Sequence, residues 1–136
     1  MSTLSAVSTS VPGTLRQRIK IAGRHCLTTD EPASLGGEDS AAAPHELLPA
    51  AVASCVSTTL LMYARRKGWE LGDVSVAVEY EHRATPRRCH VEVTFSGDLD
   101  AGQLERLEAV AASCPVRRAL EAGVVFDERL ALGAAA

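Results

Sequence analysis

Aromatic side chains are scarce in this sequence, at 4% of its 136 residues, so its core must be built mainly from leucine, valine and alanine. An excess of basic residues is also missing, because 14 lysines and arginines face 17 acidic residues and give a formal net charge of −3. That balance argues against nucleic acid or an anionic membrane as the main partner. The overall composition, 46% hydrophobic and 23% charged, is typical of a single globular domain.

The sequence has no clean apolar run long enough to indicate a membrane span. Its longest uncharged run, residues 47–64, contains Pro49 and several serines and threonines, and therefore predicts a buried helix. The first twelve residues carry no basic charge and do not resemble a secretory leader. We therefore expect a cytoplasmic protein, in which reducing conditions disfavour structural disulfides among the four cysteines.

Short motifs for cofactors are missing as well. There is no Cys-x-x-Cys pair, no phosphate-binding glycine motif and no internal repeat. A zinc site built from His25, Cys26, Cys89 and His90 is disfavoured. Adjacent residues of a strand point to opposite faces of the sheet, so the two members of each pair would not face the same metal ion. Cys26 and Cys89 are therefore expected to pack inside or at the edge of a sheet, and we expect neither a metal nor an organic cofactor.

Apolar periodicity and turn signals predict the secondary structure. The predicted elements are strands at 15–21 and 25–30, a loop at 31–44, a helix ending at Lys67, strands at 74–81 and 89–96, helices at 101–112 and 115–122, and a strand at 124–132. Gly68 and Gly123 are the expected C-terminal caps of two helices. The order β-β-α-β-β-α-α-β predicts an α+β domain over residues 14–132, preceded by a flexible tail over residues 1–13.

The helix that ends at Lys67 has almost no polar face between residues 50 and 64. A helix that is apolar all round must be covered all round, and one small sheet covers a single side. We therefore predict a homodimer in which this helix packs against the partner. Pro49 either kinks the helix or marks its start after a short turn.

Two of the cysteines lie where a thiol could react. Cys114 precedes Pro115 and would cap the next helix, so its sulfur would face free backbone N–H groups with Arg117 nearby. These features favour the thiolate, and local electrostatics therefore predicts Cys114 as the more acidic thiol. Cys55 lies on the apolar helix beside a cluster of hydroxyl side chains, and on local grounds alone it is typical of a core residue.

Each of these two cysteines lies in a longer segment with its own motif. The first segment runs from His45-Glu46-Leu47-Leu48 through Cys55 to Gly68-Trp69, and the second from Gly97-Asp98-Leu99-Asp100 to Cys114-Pro115-Val116. Both segments resemble the OsmC/Ohr superfamily, and Asp30-Glu31-Pro32 and Leu35-Gly36-Gly37 resemble its generic OsmC-like branch. The resemblance spans residues 15–130, and the two cysteine motifs occur in the same order, 59 residues apart (114 − 55).

The resemblance implies an intertwined homodimer with two sites at its interface, in which thiols reduce hydroperoxides, organic ones preferentially. Cys55 would be the peroxidatic cysteine, oxidised to a sulfenic acid, and Cys114 would be the resolving cysteine that closes a disulfide. A small dithiol or a lipoylated protein would reduce that disulfide.

The sequence departs from the superfamily around the first cysteine. In the peroxidases of the superfamily, a glutamate lies ten residues before that cysteine and pairs with an arginine that supports the thiolate. In this sequence that position is His45, and the nearest glutamate is the next residue, Glu46. One residue turns a helical side chain by about 100°, so Glu46 is expected to be a structural cap rather than a substitute. Besides His45 and Glu46, the candidates that could support the thiolate are the arginines Arg16, Arg18 and Arg24 of the first hairpin, and Arg117, which stands where this branch often has histidine.

These departures leave two other functions open. One is a non-catalytic protein of the same fold that binds a small apolar ligand at the dimer interface. The other is hydrolysis or acyl transfer by Cys55, with His45 as the base. Along one straight helix these two residues lie too far apart, so a histidine of the partner chain would be required.

Overall fold

The computed structural model describes residues 2–133. Its regular elements are the strands β1 (Ala6–Ser10), β2 (Gln17–Ile21) and β3 (His25–Thr29), the helix α1 (Leu47–Lys67), the strands β4 (Val74–Glu81) and β5 (Arg88–Phe95), and the helices α2 (Ala101–Ala111) and α3 (Pro115–Ala122). Two short 3-10 turns, Ala33–Leu35 and Pro44–Glu46, lie between β3 and α1. The predicted α+β class is confirmed.

The chain folds as two compact units. The first contains residues 2–51 and 78–91, and the second contains residues 52–77 and 92–133. The sheet of β1, β2 and β3 belongs to the first unit. Most of α1, together with α2 and α3, belongs to the second unit, whose buried residues include Val56, Leu60 and Leu107.

Antiparallel pairing joins β1, β2 and β3 in that order, so that Arg18 on β2 lies opposite Thr9 on one side and Thr28 on the other. The predicted hairpin of β2 and β3 is confirmed. The predicted tail over residues 1–13 is wrong for residues 6–10, which form β1. All five residues of β1 are exposed, so the strand depends on its hydrogen bonds to β2 and has no buried face that periodicity could detect.

β4 and β5 pair in a second sheet near the predicted positions. The side chains of β4 alternate between partly buried and exposed, as the sequence predicts. Cys26 on β3 and Cys89 on β5 were expected to pack inside or at the edge of a sheet; both lie on edge strands, and both are exposed. For Cys89, the reason is that Val91 is itself 39% exposed, so this end of β5 is not covered by other parts of the described chain.

The strand predicted at residues 124–132 does not form within the part of the chain that the structure describes. Its apolar side chains are 65–106% exposed: Val124, Val125, Phe126, Leu130 and Leu132. A strand needs a neighbour to satisfy its backbone groups, and none of the strands within residues 2–133 pairs with this segment. The observed order is therefore β-β-β-α-β-β-α-α.

The two ends of α1 follow from its sequence. The helix begins after the turn Pro44–Glu46, so Pro49 lies in the first turn, where its missing N–H costs no intrahelical hydrogen bond. Gly68 ends the helix with a φ of 72°, and the N–H of Trp69 bonds the carbonyl of Ala64 at 2.9 Å. This is the glycine cap that the sequence predicts.

One face of α1 is buried, through Val52, Val56, Leu60, Tyr63 and Ala64. The opposite face remains open, with Leu61 41% and Met62 60% exposed, so the all-round cover predicted for this helix is not met within one chain. By length and composition alone, Pro44–Lys67 could also cross a membrane. A single helix of this kind is weak evidence for a membrane span, because the core helix of a soluble protein can have the same length and composition.

The loop at residues 31–44 is anchored by the buried carboxylate of Asp30. Its Oδ1 accepts the N–H of Glu31 at 2.8 Å, and its Oδ2 accepts the N–H of Glu38 at 3.2 Å and both the N–H and the hydroxyl of Ser40 at 3.1 and 2.7 Å. These bonds, the Ser40 hydroxyl first, lower the pKa of Asp30 from 3.8 to about 2. Gly37 completes the turn, since a Cβ there would clash with the carbonyl of Glu31.

Replacing Asp30 with asparagine is expected to destabilise the protein at neutral pH, because a neutral amide has one acceptor oxygen where the carboxylate has two charged ones. The pKa of Asp30 is depressed in the folded state, so its contribution is fully present above about pH 4 and is lost as the pH falls towards about 2. Urea unfolding should therefore show a difference from wild type that shrinks on acidification. The matched control is Asp39→Asn, at an exposed position of the same loop. A difference that does not change with pH would contradict this account.

Candidate active site: a thiol pair on α1 and α3

Cys55 lies in the middle of α1, and Cys114 is the residue immediately before α3. Both belong to the second unit. Cys55 is half-buried, Cys114 is fully buried, and neither forms a disulfide. In this unit α1 is tied to α2 by a hydrogen bond of 2.9 Å from Arg106 Nε to the hydroxyl of Tyr63.

Three neighbouring groups lower the pKa of the Cys55 thiol. They are the thiol of Cys114, the backbone N–H of Val116 and the hydroxyl of Thr59. Burial alone would raise the pKa of Cys55, but these donors outweigh it, and the pKa lies below its ordinary value of 9.0. Cys55 is therefore the thiol that ionises first.

The opposite balance holds for Cys114. Burial is the largest influence and raises its pKa; the contact with Cys55 raises the pKa further, because Cys114 must keep its proton to donate. The N–H groups of Arg117 and Val116 lower the pKa only in part, and neither makes a complete capping hydrogen bond to the side chain. The prediction that Cys114 is the more acidic thiol is wrong, because burial outweighs the helix N-terminus.

A thiolate in contact with a protonated thiol suits a two-step redox reaction. The thiolate is the nucleophilic form of cysteine, so Cys55 can attack an electrophile first. Once Cys55 is oxidised, Cys114 is the thiol near enough to influence it and can attack the oxidised sulfur. The helix start at Pro115 fixes Cys114 in this position.

His45 and Glu46 lie in the turn before α1, in the first unit. Glu46 accepts a hydrogen bond from the backbone N–H of Ala43 at 2.9 Å, as expected of a structural cap. The ring of His45 packs edge-on against Tyr80 at 5.7 Å and against His82 at 4.9 Å between centroids. The sequence analysis missed this aromatic cluster, because it joins residues more than thirty positions apart.

The structure separates the candidate arginines by their surroundings. Arg18 is exposed on β2, and Arg24 donates from Nη1 to a carbonyl of its own turn at 3.4 Å. Arg117 forms an ion pair with Glu121 on α3, with Nε and Oε1 3.4 Å apart. Arg16 differs, since its Nε is buried and has no hydrogen-bond partner among residues 2–133.

Two contributors to the site, Thr59 and Val116, were not singled out from the sequence. Thr59 was seen only as one of several hydroxyl residues near Cys55. Its spacing of four residues from Cys55, which places two side chains on one helix face, is the signal that could have identified it. The N–H of Val116 could not have been found in this way, because it depends on α3 meeting α1.

Comparison with known proteins places these cysteines in a family. The sequence profile of the OsmC-like proteins matches residues 37–129, which include both thiols and well over half of the chain. The chain belongs to the OsmC-like family. None of the curated proteins matches this OsmC-like protein.

Solved structures share its fold along most of its length. A Psychrobacter arcticus 273-4 protein named for an osmotic stress induced and detoxification response is 27% identical, with 88% of each chain covered and a TM-score of 0.71. An organic hydroperoxide resistance protein OsmC from Legionella pneumophila is 28% identical, covering 88% of this chain and 90% of its own, with a TM-score of 0.64. An organic hydroperoxide resistance protein from Elizabethkingia anophelis is 21% identical over 88% of each chain, with a TM-score of 0.62, and shows the same fold.

Proposed function

We propose that this OsmC-like protein is a thiol-dependent peroxidase that reduces organic hydroperoxides and so defends the cell against oxidative stress. The observation that carries the proposal is the contact between Cys55, whose pKa is lowered, and the buried thiol of Cys114. The name of the Legionella pneumophila protein, organic hydroperoxide resistance protein, supports the same class of reaction.

In the first step, the thiolate of Cys55 attacks the terminal oxygen of the hydroperoxide. A sulfur–oxygen bond forms, the O–O bond breaks, and the alkoxide that leaves takes up a proton to become an alcohol. Cys55 loses two electrons and becomes a sulfenic acid. The lowered pKa of Cys55 favours this step, because it raises the thiolate fraction at neutral pH.

In the second step, the sulfur of Cys114 attacks that of Cys55. The S–S bond forms as the sulfur–oxygen bond breaks, and the hydroxide that leaves combines with the proton of Cys114 to give water. An external dithiol then reduces the disulfide by thiol exchange and is itself oxidised to a disulfide. We propose a small dithiol or a lipoylated protein as this reductant, in a cytoplasmic setting that keeps cysteines reduced.

We propose that the protein is an intertwined homodimer. The open face of α1 and the exposed apolar side chains of residues 124–132 are the surfaces that a second copy would cover. Sedimentation at micromolar concentration should give twice the chain mass of 14.3 kDa. A monomer at that concentration would defeat the proposal.

Turnover provides the test of the peroxidase proposal. Reduced protein is mixed with cumene hydroperoxide or hydrogen peroxide in the presence of dihydrolipoamide, and peroxide loss is followed over time. We expect sustained consumption that is faster with the organic peroxide. Consumption no faster than that by dihydrolipoamide alone would rule the proposal out.

A further inference from the structure

The C-terminal end of α1 carries three cations around one buried ring. The guanidinium carbons of Arg66 and Arg106 lie 5.7 and 5.5 Å from the ring centroid of Tyr63, and the ammonium nitrogen of Lys67 lies 5.8 Å from it. Tyr63 is only 7% exposed, so the ring belongs to the core, whereas the three basic residues are accessible to solvent. We call Arg66, Lys67 and Arg106 the basic cluster.

Two helices together assemble the basic cluster. Cations in the last turn of a helix suit the negative end of its dipole, which accounts for Arg66 and Lys67 on α1. The dipole does not account for Arg106, which lies within α2 and donates from Nε to the Tyr63 hydroxyl at 2.9 Å. This contact adds a third cation to a place that already has two, and the attraction of cations to an aromatic ring helps to hold them there.

The charge of the basic cluster is not neutralised within residues 2–133. The ion pairs found there, His90–Glu81 and Arg117–Glu121, include none of its members. The chain carries a net charge of −3, so the cluster is not part of a generally basic surface. Like charges grouped around one ring repel one another, and an anionic partner would offset that repulsion. The cluster is therefore complementary in charge to an acidic partner.

We propose that the basic cluster docks an acidic segment of the protein that carries the reducing dithiol. This inference rests on the proposed function, because it names a partner of that reaction, and of the two reductants proposed above it favours the lipoylated protein. Tyr63 follows Cys55 by eight residues (63 − 55). That spacing places the cluster about 12 Å from Cys55 along the axis of α1, so a partner held there can bring a dithiol on a long side chain to the thiol pair.

The reducing step then follows from the reaction already described. The dithiol of the docked partner gives two electrons and two protons to the Cys55–Cys114 disulfide, which returns to two thiols, and the dithiol itself becomes a disulfide. The basic cluster takes no part in this exchange. It raises the local concentration of the reductant beside the two cysteines.

The exposure of the basic cluster favours a chain segment over a small anion. A single ion pair in contact with water contributes little to binding, and salt screens it. A segment with several carboxylates can pair with all three cations at once, so that the small contributions add and the two proteins also associate faster.

Trp69 gives a docking signal that needs no peroxide. It is the single tryptophan of the chain, and its ring centroid lies 5.5 Å from that of Tyr63. The probe is a synthetic peptide with a dihydrolipoyl-lysine between aspartates, and the reference peptide has asparagines in place of the aspartates. We expect the aspartate peptide alone to change the fluorescence of Trp69, and the change to weaken as salt is added.

Arg66→Gln should weaken binding of the aspartate peptide by about fivefold, because it removes one exposed ion pair. Arg66 is the better choice for this test than Arg106, which also holds the Tyr63 hydroxyl. The matched control is Arg83→Gln, which makes the same change of charge at an exposed position of the first unit. Equal binding of the two peptides, or equal weakening in the two variants, would overturn the docking site.

The same titration identifies other occupants. A response of Trp69 to inorganic phosphate but not to the aspartate peptide would overturn the proposal in favour of a small anion. A response to phosphatidylserine vesicles alone would overturn it in favour of a membrane surface.

Cumene hydroperoxide turnover tests whether the docked partner is the reductant. In Arg66→Gln, the KM for the aspartate peptide relative to that for neutral dihydrolipoamide should rise about fivefold. An unchanged ratio would overturn the role in reduction. If wild-type protein consumes no peroxide with either dithiol, that role is overturned together with the proposed function, whereas the fluorescence titration still decides whether the basic cluster binds an acidic segment.

Discussion

Cys55→Ser is expected to abolish peroxide turnover, with a loss on the order of 10³-fold or more. A serine hydroxyl has almost no anionic fraction at neutral pH and is a poor nucleophile towards a peroxide oxygen. The substitution replaces the side-chain sulfur with an oxygen and nearly preserves the shape of the side chain, so the fold should remain. Peroxide consumption in the presence of a dithiol measures the effect.

The controls for this variant are the two exposed cysteines. Cys26→Ser and Cys89→Ser make the same chemical change outside the thiol pair, and they should keep wild-type turnover. If Cys55→Ser retained activity, or if Cys89→Ser lost as much, the assignment of Cys55 as the attacking residue would be wrong.

Cys114→Ser is expected to allow one turnover and then stop. Without a resolving thiol, the sulfenic acid on Cys55 persists, no disulfide forms, and about one equivalent of peroxide is consumed per chain. A reagent selective for sulfenic acid, such as dimedone, should label Cys55 in this variant and not in wild type. With a dithiol present, steady-state turnover should fall by about tenfold or more.

Cys114→Ala separates the two roles that we assign to this residue. Serine keeps a donor beside the Cys55 sulfur, whereas alanine removes it, so the alanine variant should also be slower in the first step. The loss of one donor to an anion is expected to raise the pKa of Cys55. Full recycling in either variant would show that Cys114 does not resolve the intermediate.

The elements that the sequence predicted well are those whose signal is local. The alternation of β4 and the glycine after α1 both appear as predicted. Each of these depends on residues that are a few positions apart. Strand β1 was missed because its pairing with β2, and not its own pattern, defines it.

The segment 124–132 illustrates the opposite error. It has the apolar residues of a strand, but a strand requires a neighbouring edge, which a sequence pattern does not reveal. The prediction that Cys114 is the more acidic of the two thiols failed for a similar reason. The helix N-terminus at Cys114 is visible in the sequence, whereas its burial and its contact with Cys55 depend on packing between residues 59 positions apart (114 − 55).

The resemblance to the OsmC/Ohr superfamily supplied what local chemistry could not. Local electrostatics favoured Cys114 as the reactive thiol, while the resemblance assigned the first attack to Cys55. The lowered pKa of Cys55 agrees with the second assignment and gives it a physical basis in three named donors. His45 and Glu46 depart from the superfamily's glutamate, and the groups that lower the pKa of Cys55 are instead Cys114, Val116 and Thr59.

The central claim is tested most directly by a stoichiometric reaction. Fully reduced protein receives a slight excess of cumene hydroperoxide, free thiols are titrated at intervals, and disulfides are mapped by mass spectrometry. We predict the rapid loss of two thiols per chain and a Cys55–Cys114 crosslink, while Cys26 and Cys89 stay reduced. Four thiols that remain free for minutes would contradict the peroxidase account and favour a ligand-binding protein of the same fold.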